Sequence, residues 1–238
     1  FIAPPKAQSA DFTFAQTIPC RAVVRGEGVL DATASLTQLL DAIALLDSGA
    51  PGNGWTAADS VPMRTWLTKF QRWMLTSPQG MAESKKMNNH GSWKALGDAA
   101  LAAYLHDPAD LRTAVMRGQQ LIEYQVKPDG EQWQELSRTK PWHYSNYNAT
   151  PLCRLAELAQ QIPGQPVAIW HYTSHGVQLL PKAIDYLIPG AEHGDAGWPH
   201  RKTATQEKTI EKIRYLAYYE LHAAATQAGD PAAKMAVH

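Results

Sequence analysis

No apolar run in this chain approaches the ~20 residues needed to cross a bilayer. Its longest apolar stretches are broken by Asp, Gln or Lys at helical spacing, so no membrane-embedded role is expected. Net charge is lacking too. Lys plus Arg number 22 and Asp plus Glu number 22, which leaves no global basic field of the kind nucleic-acid binders use. There is no glycine-rich phosphate loop, and strand signals are few. Cysteine is scarce: Cys20 and Cys153 are the only two and lie far apart. In an exported protein they could close a single long loop. Cys153 sits in the apolar run Leu152-Cys153-Arg154-Leu155, which favours two separate buried thiols.

What is present is a helical pattern long enough, at 238 residues, to bury one full core. Ser35 to Asp47 carries Leu36, Leu39, Leu40, Ile43 and Leu46 at three- and four-residue steps, and Gly49-Ala50-Pro51-Gly52 stops it. A second helix is predicted to be capped by Asp59 or Ser60, with Pro62 in its first turn. Its stripe of Trp66, Phe70, Trp73 and Met74 reads as core packing. Further helices are predicted over 93–105, 110–126, from Thr150-Pro151 to Pro163-Gly164, and over 167–180, 181–187 and 209–226. Antiparallel helices joined by short Pro/Gly loops suit either a bundle or an α/α toroid, and periodicity does not separate the two.

Two segments are dense in groups that bind a carboxylate or move a proton. Asn88-Asn89-His90-Gly91-Ser92-Trp93 offers two amides and an imidazole. Arg138-Thr139-Lys140-Pro141-Trp142-His143-Tyr144-Ser145-Asn146-Tyr147-Asn148 adds a guanidinium, an imidazole, two phenols and two more amides. Folding does not require so many side-chain donors in so few residues. Neither segment holds Asp or Glu, which suits an anionic substrate and argues against paired-carboxylate glycoside hydrolysis. The predicted helices place the first segment just before the third helix and the second in the connection between the fourth and fifth. Loops in such positions keep polar side chains wet and directed into a groove. The plainer reading of Asn88 and Ser92 is helix capping; we expect one amide to cap and the other to meet substrate.

Taken in order, Asn-Asn-His-Gly-Ser-Trp and, about fifty residues on, Glu135-Leu136-Ser137-Arg138-Thr139 with His143-Tyr144-Ser145-Asn146-Tyr147-Asn148 resemble the signature of the alginate lyase superfamily. Trp73-Met74-Leu75-Thr76-Ser77, Gly80, Glu83, Ala168-Ile169-Trp170 and Lys182 to Leu187 extend the resemblance. One departure is Lys94-Ala95-Leu96-Gly97, where many relatives follow the Asn-His-Gly-x-Trp run with an aromatic and a Gln; it bears on the identity of the sugar more than on the reaction.

The resemblance implies an all-α fold, an incomplete (α/α) toroid of antiparallel helix pairs, formed by residues 1–238 as one domain. It also implies a polysaccharide lyase that cleaves 4-linked uronic-acid polymers by β-elimination. Residues 1–30, opening on Phe1-Ile2-Ala3-Pro4-Pro5, read as an extended N-terminal segment, following signal-peptide removal or beginning a fragment of a longer protein. A periplasmic or secreted location and a monomeric state are the corresponding expectations.

Such elimination removes H5, whose acidity is low while C6 is an ionised carboxylate; neutralising that charge lets the aci-carboxylate form. Arg supplies a planar fork and Asn neutral donors, while a base must reach C5 and an acid must protonate O4. By motif, Asn89 and Arg138 bind and neutralise the carboxylate, Tyr144 is the acid/base with Tyr147 the runner-up, and His90 is a neutraliser or base. Asn88, Trp93, Lys140, Trp142, His143, Asn146 and Tyr147 are the expected substrate-binding residues. In mannuronate and glucuronate H5 and O4 share a face, so one Tyr serves both; in guluronate they do not, and His90 becomes the base.

No cofactor or metal is expected, because the two motifs make a poor nest for Ca²⁺. His171 and His175 have the spacing of zinc ligands on a helix, without the Glu of a metalloprotease motif, and read as a polar helix face. Glu135 is expected to orient Arg138 or its loop, Glu131 to sit in a turn, and the loop from Gly190 to Trp198 to border the cleft. The competing functions are a glucuronan or oxidised-cellulose lyase, an α/α glycoside hydrolase, and a non-catalytic polyuronate-binding protein.

Overall fold

Helices carry most of the chain in the computed structural model, which describes residues 16–17, 24–25, 33–49, 51–162, 164, 167–200 and 223–236. Two strands, β1 (Gln16–Thr17) and β2 (Val24–Arg25), pair antiparallel with Gln16 opposite Arg25. The rest of the expected extended segment, Cys20, and most of the helix expected over 209–226 lie outside the described residues. The end of that last stretch, Ala224–Ala228, is a π turn.

Helix α1 (Leu36–Asp47) buries Leu36, Leu40 and Ile43, as its leucine spacing predicts. Helix α2 (Ala57–Thr76) begins earlier than predicted. Thr56 is the cap, and Asp59 returns the capping box by accepting from the Thr56 N–H at 3.0 Å. Pro62 therefore lies inside the helix and not in its first turn. Trp66, Phe70 and Trp73 stack at 5.2 and 5.9 Å between ring centroids and pack the core, as expected of that stripe. Ser77 ends α2 and caps α3 (Pro78–Ser84), its hydroxyl accepting from the Gly80 N–H at 3.0 Å.

Helix α4 (Asn89–Tyr104) is buried almost all round, which makes it the central element. It packs against α5 (Pro108–Gln125) and α7 (Pro141–Ala159) on one side and against α1 and α2 on the other. The short α6 (Trp133–Leu136) follows a strap in which Val126 bridges Gln132. Pro141, at the first helical position, opens α7. The predicted start at Thr150-Pro151 is thus ten residues late, and Pro151 sits within the helix. Cys153 is fully buried in the larger core cluster, with Trp93, Trp142, Trp170 and Trp198.

The helix expected over 167–180 does not form. A 3₁₀ turn (Ile169–His171) leads into a hairpin of β3 (Thr173–Ser174) and β4 (Val177–Gln178), turned by His175 at φ 51° and Gly176 at φ 76°. Glycine meets a positive φ without strain and His tolerates it at some cost. Helices α8 (Leu179–Asp185), α9 (Ile188–His193) and α10 (Pro231–Ala236) complete the described chain. The architecture is all-α, of the α/α toroid type.

Candidate active site

The two motifs meet as two helix beginnings and not, as predicted, as two loops. Asn89 to Trp93 form the first turn of α4, while Pro141 to Asn148 form the first two turns of α7, with Arg138 to Lys140 in the turn before it. Asn88 is the cap of α4, its Oδ1 accepting from the His90 N–H at 3.2 Å. The capping half of the expectation therefore falls to Asn88. Ser92 does not cap; its hydroxyl engages the buried Gln125 side chain, which donates to it at 3.1 Å.

The approach to this cap is tied down from α5. Arg117 donates to the carbonyls of Ser84 and Lys86 at 3.1 and 3.2 Å, and Gln125 donates to the Asn88 carbonyl at 3.2 Å. Gly91 is required by contact: a Cβ there would run into the Lys86 carbonyl oxygen. Gly91→Ala is therefore expected to destabilise the fold by about 1–3 kcal/mol and to displace Asn88 to His90. Urea unfolding and turnover measured together check this; an unchanged midpoint would refute the steric argument.

Three links join the motifs. Glu135 of α6, almost fully buried, accepts from the Asn89 backbone N–H and from Asn89 Nδ2, both at 2.7 Å. Asn148 donates to Gln125 at 2.7 Å and to Gln132 at 2.8 Å, and Gln132 donates to the Ser145 carbonyl at 3.0 Å. Trp93 packs on Tyr147 with ring centroids 5.0 Å apart. Glu135 thus holds Asn89 directly, where the sequence suggested that it orients Arg138 or its loop. Burial pushes its carboxyl above the usual range, opposed by the Asn89 hydrogen bonds and then by the charge of Arg138 and of His90.

That pairing fixes the Asn89 amide. A carboxylate accepts only, so the flipped amide would set oxygen against oxygen. One Nδ2 proton is engaged by Glu135. His90 is held in a parallel way: its Nδ1 lies 2.7 Å from Oε1 of Glu83, whose side chain is fully buried while that of His90 is 25% exposed.

Arg138 and Tyr144 form the other half of the site. The guanidinium lies over the Tyr144 ring, 3.9 Å from its centroid, a close cation–π contact. His143 meets Tyr144 edge-on at 5.4 Å and stacks on Tyr147 at 5.8 Å. Burial, then the charge of Lys140, lowers the His143 pKa, so this imidazole is neutral at neutral pH and adds no positive charge. Tyr186, outside the motifs, is pushed up to about 12 by burial and by Glu131, which disfavours it as a base.

Of the residues expected at the site, Asn88, His90, Arg138, Lys140, His143, Tyr144 and Tyr147 are partly exposed and gathered at these helix beginnings. Asn89 is 2% exposed. Three others are interior residues. Trp142 is fully buried against Trp198 and Gly190 and serves packing, not substrate binding. Trp93 belongs to the same core cluster, and Asn146 is buried with its Nδ2 donating to the Trp142 carbonyl at 2.8 Å, inside its own helix. Glu83, Arg117, Gln125 and Gln132 received no role from the sequence; the only signal for Glu83 was its place in the run leading to the first motif.

His171 and His175 stand in a 3₁₀ turn and a hairpin turn, not on one helix face. Among the described residues no group of three or more His, Cys, Asp or Glu gathers as a metal site. A cavity of about 730 Å³ lies elsewhere, between α1, α2, α7 and the far part of α4, and contains no residue of either motif.

The sequence profile of the alginate lyase family matches residues 1–198. The crystal structure of an alginate lyase from Bacteroides ovatus superposes with a TM-score of 0.75 at 26% identity, covering 94% of this chain and 57% of that one. The chain therefore spans little more than half the length of that relative. No curated protein sequence matches it. Since the profile match runs through both motifs and both buried glutamates, the chain belongs to the alginate lyase family.

Proposed function

We propose that this chain carries the catalytic groups of a polysaccharide lyase that cleaves 4-linked uronic-acid polymers, alginate rich in mannuronate above all, by β-elimination. The observation that carries the reading is the Arg138 guanidinium 3.9 Å above the Tyr144 ring at the start of α7, with Asn89 and His90 held by buried glutamates at the start of α4, the helix packed against it. A cation with a bidentate fork, a neutral amide donor and a phenol are the groups that a carboxylate-bearing substrate and a proton transfer require.

In this mechanism Arg138, the Asn89 side-chain amide and, when its Nε2 also carries a proton, His90 bind the C6 carboxylate, which lowers the cost of charge developing there. Tyr144 takes H5; the C5–H electron pair passes into the aci-carboxylate and then forms the C4–C5 double bond as the C4–O4 bond breaks. The departing O4 receives a proton from Tyr144 and becomes the hydroxyl of a new reducing end. With mannuronate or glucuronate one Tyr performs both transfers on one face; with guluronate His90 takes H5 and Tyr144 serves O4. Asn88, Lys140, His143 and Tyr147 line the approach. A large anionic polymer is met outside the cytoplasm, so the reading goes with a periplasmic or secreted enzyme acting as a monomer.

The hydrolase alternative is weakened by the two carboxylates near the site. Glu83 and Glu135 are both buried and engaged with His90 and Asn89, instead of facing each other across a groove. The decisive experiment is ultraviolet absorbance on a panel of polymannuronate, polyguluronate, glucuronan and their carboxyl-reduced forms. Elimination creates a conjugated C4–C5 double bond, so absorbance should rise on the charged polymers, fastest on polymannuronate. New reducing ends without that chromophore would establish hydrolysis; binding without either would leave a carbohydrate-binding protein.

A further inference from the structure

We infer that Glu83 is a positioning residue that keeps the proton of His90 on Nδ1, directed into the protein, and so leaves Nε2 as the atom His90 offers to the substrate. This deepens the lyase reading and rests on it for its catalytic consequence, but not for its structural one.

The argument starts from burial. Glu83 is fully buried, and a buried carboxylate is costly unless it is paired and hydrogen-bonded. Its Oε1 lies 2.7 Å from His90 Nδ1, a short, charge-assisted contact. A carboxylate can only accept, so the proton in this contact belongs to the imidazole. Which ring nitrogen carries the proton is set in this way by the partner of the other one.

The helix that carries Glu83 is fixed along its length. Gly80 packs so closely on the end of α2 that a Cβ would overlap the Met74 carbonyl, and Ser77 caps the helix start at 3.0 Å. At the other end Arg117 grips the Ser84 carbonyl at 3.1 Å. The backbone that carries Glu83 is therefore fixed by contacts independent of His90, and His90, one residue into α4, meets its carboxylate. Two first-motif side chains then each have a buried carboxylate behind them: Glu135 fixes the face of the Asn89 amide, and Glu83 fixes the edge of the His90 ring.

The test is long-range ¹⁵N–¹H correlation NMR on protein labelled at its histidines, without substrate, with His90 assigned by the missing signal in His90→Asn. Nδ1 of His90 should carry a proton at a pH where free imidazole is neutral; an unprotonated Nδ1 overturns the inference whether or not the protein is a lyase. In Glu83→Gln, whose amide can donate as well as accept, the Nδ1 signature should weaken. On the polyuronate cleaved best, kcat should then fall at least ~10-fold with KM nearly constant, as when a triad imidazole loses its orienting carboxylate. A protonated Nδ1 in the parent with full turnover in a folded Glu83→Gln would also overturn the positioning role. Absence of turnover in the parent on every polyuronate would instead reject the lyase reading and leave the proton-placement result standing.

Discussion

Tyr144→Phe should abolish turnover while leaving the fold and polymer binding nearly intact. Positioned acid–base groups contribute about 10²–10⁴ each, and on mannuronate or glucuronate this one phenol both receives H5 and protonates O4. The loss should therefore lie at or beyond the upper end of that range. Phe keeps the ring on which the Arg138 guanidinium rests, at 3.9 Å, and against which His143 packs, so the surrounding geometry should persist. Circular dichroism and equilibrium binding of intact polymer check the fold and the ground state; ultraviolet absorbance checks the reaction. Near-normal turnover would move the role to Tyr147, whose ring stacks on His143 and packs on Trp93. If Tyr147→Phe were then silent as well, the phenol mechanism would fail.

The parts of this fold visible in the sequence are those where a single local rule decides. The leucine spacing of α1 marks both its extent and its buried face. Helix starts were harder, because competing local signals point to different residues. Asn89-His90-Gly91-Ser92 is poor helix-forming sequence, and the apolar pattern begins only at Trp93. The Asn88 cap, the Arg117 grip on the preceding carbonyls and the Glu135 clamp on the Asn89 N–H together draw the helix start back to Asn89. Pro141 and Pro151 both look like first-turn prolines; only the first is, and no periodicity distinguishes them. At 171–175 the helical spacing of two histidines misleads, whereas Gly176 after His175 was the better signal, a left-handed turn between two short extended runs.

The site shows the same division. Motif residues were legible by type and order, but their exposure was not, since it depends on which face of α4 and α7 meets the core. Trp142 and Asn146 face inward on α7, while His143, Tyr144 and Tyr147 are partly exposed. The segments 88–93 and 138–148 hold no carboxylate, yet two reach them from neighbouring residues. Glu83 is seven residues from His90 and Glu135 is 46 from Asn89, contacts that only tertiary packing creates.

Arg138→Lys separates charge from geometry. Lysine keeps the positive charge but has neither the planar fork that grips both carboxylate oxygens nor the flat face that lies on the Tyr144 ring. If Arg138 acted only through long-range charge, the substitution would be nearly neutral. If it is a preorganised donor to the charge developing on the C6 carboxylate, turnover should fall by ~10² or more, the usual cost of removing one such donor. Because this charge grows toward the transition state, kcat should fall more than KM rises. The companion measurement uses polymer whose carboxyl groups have been reduced to neutral alcohols. The parent enzyme should leave it uncleaved, since H5 then lacks the stabilised aci-carboxylate, and Arg138→Lys should make no difference to that result. Equal rates on neutral and charged polymer would show that the Asn89, His90 and Arg138 assembly does not exist to neutralise a carboxylate.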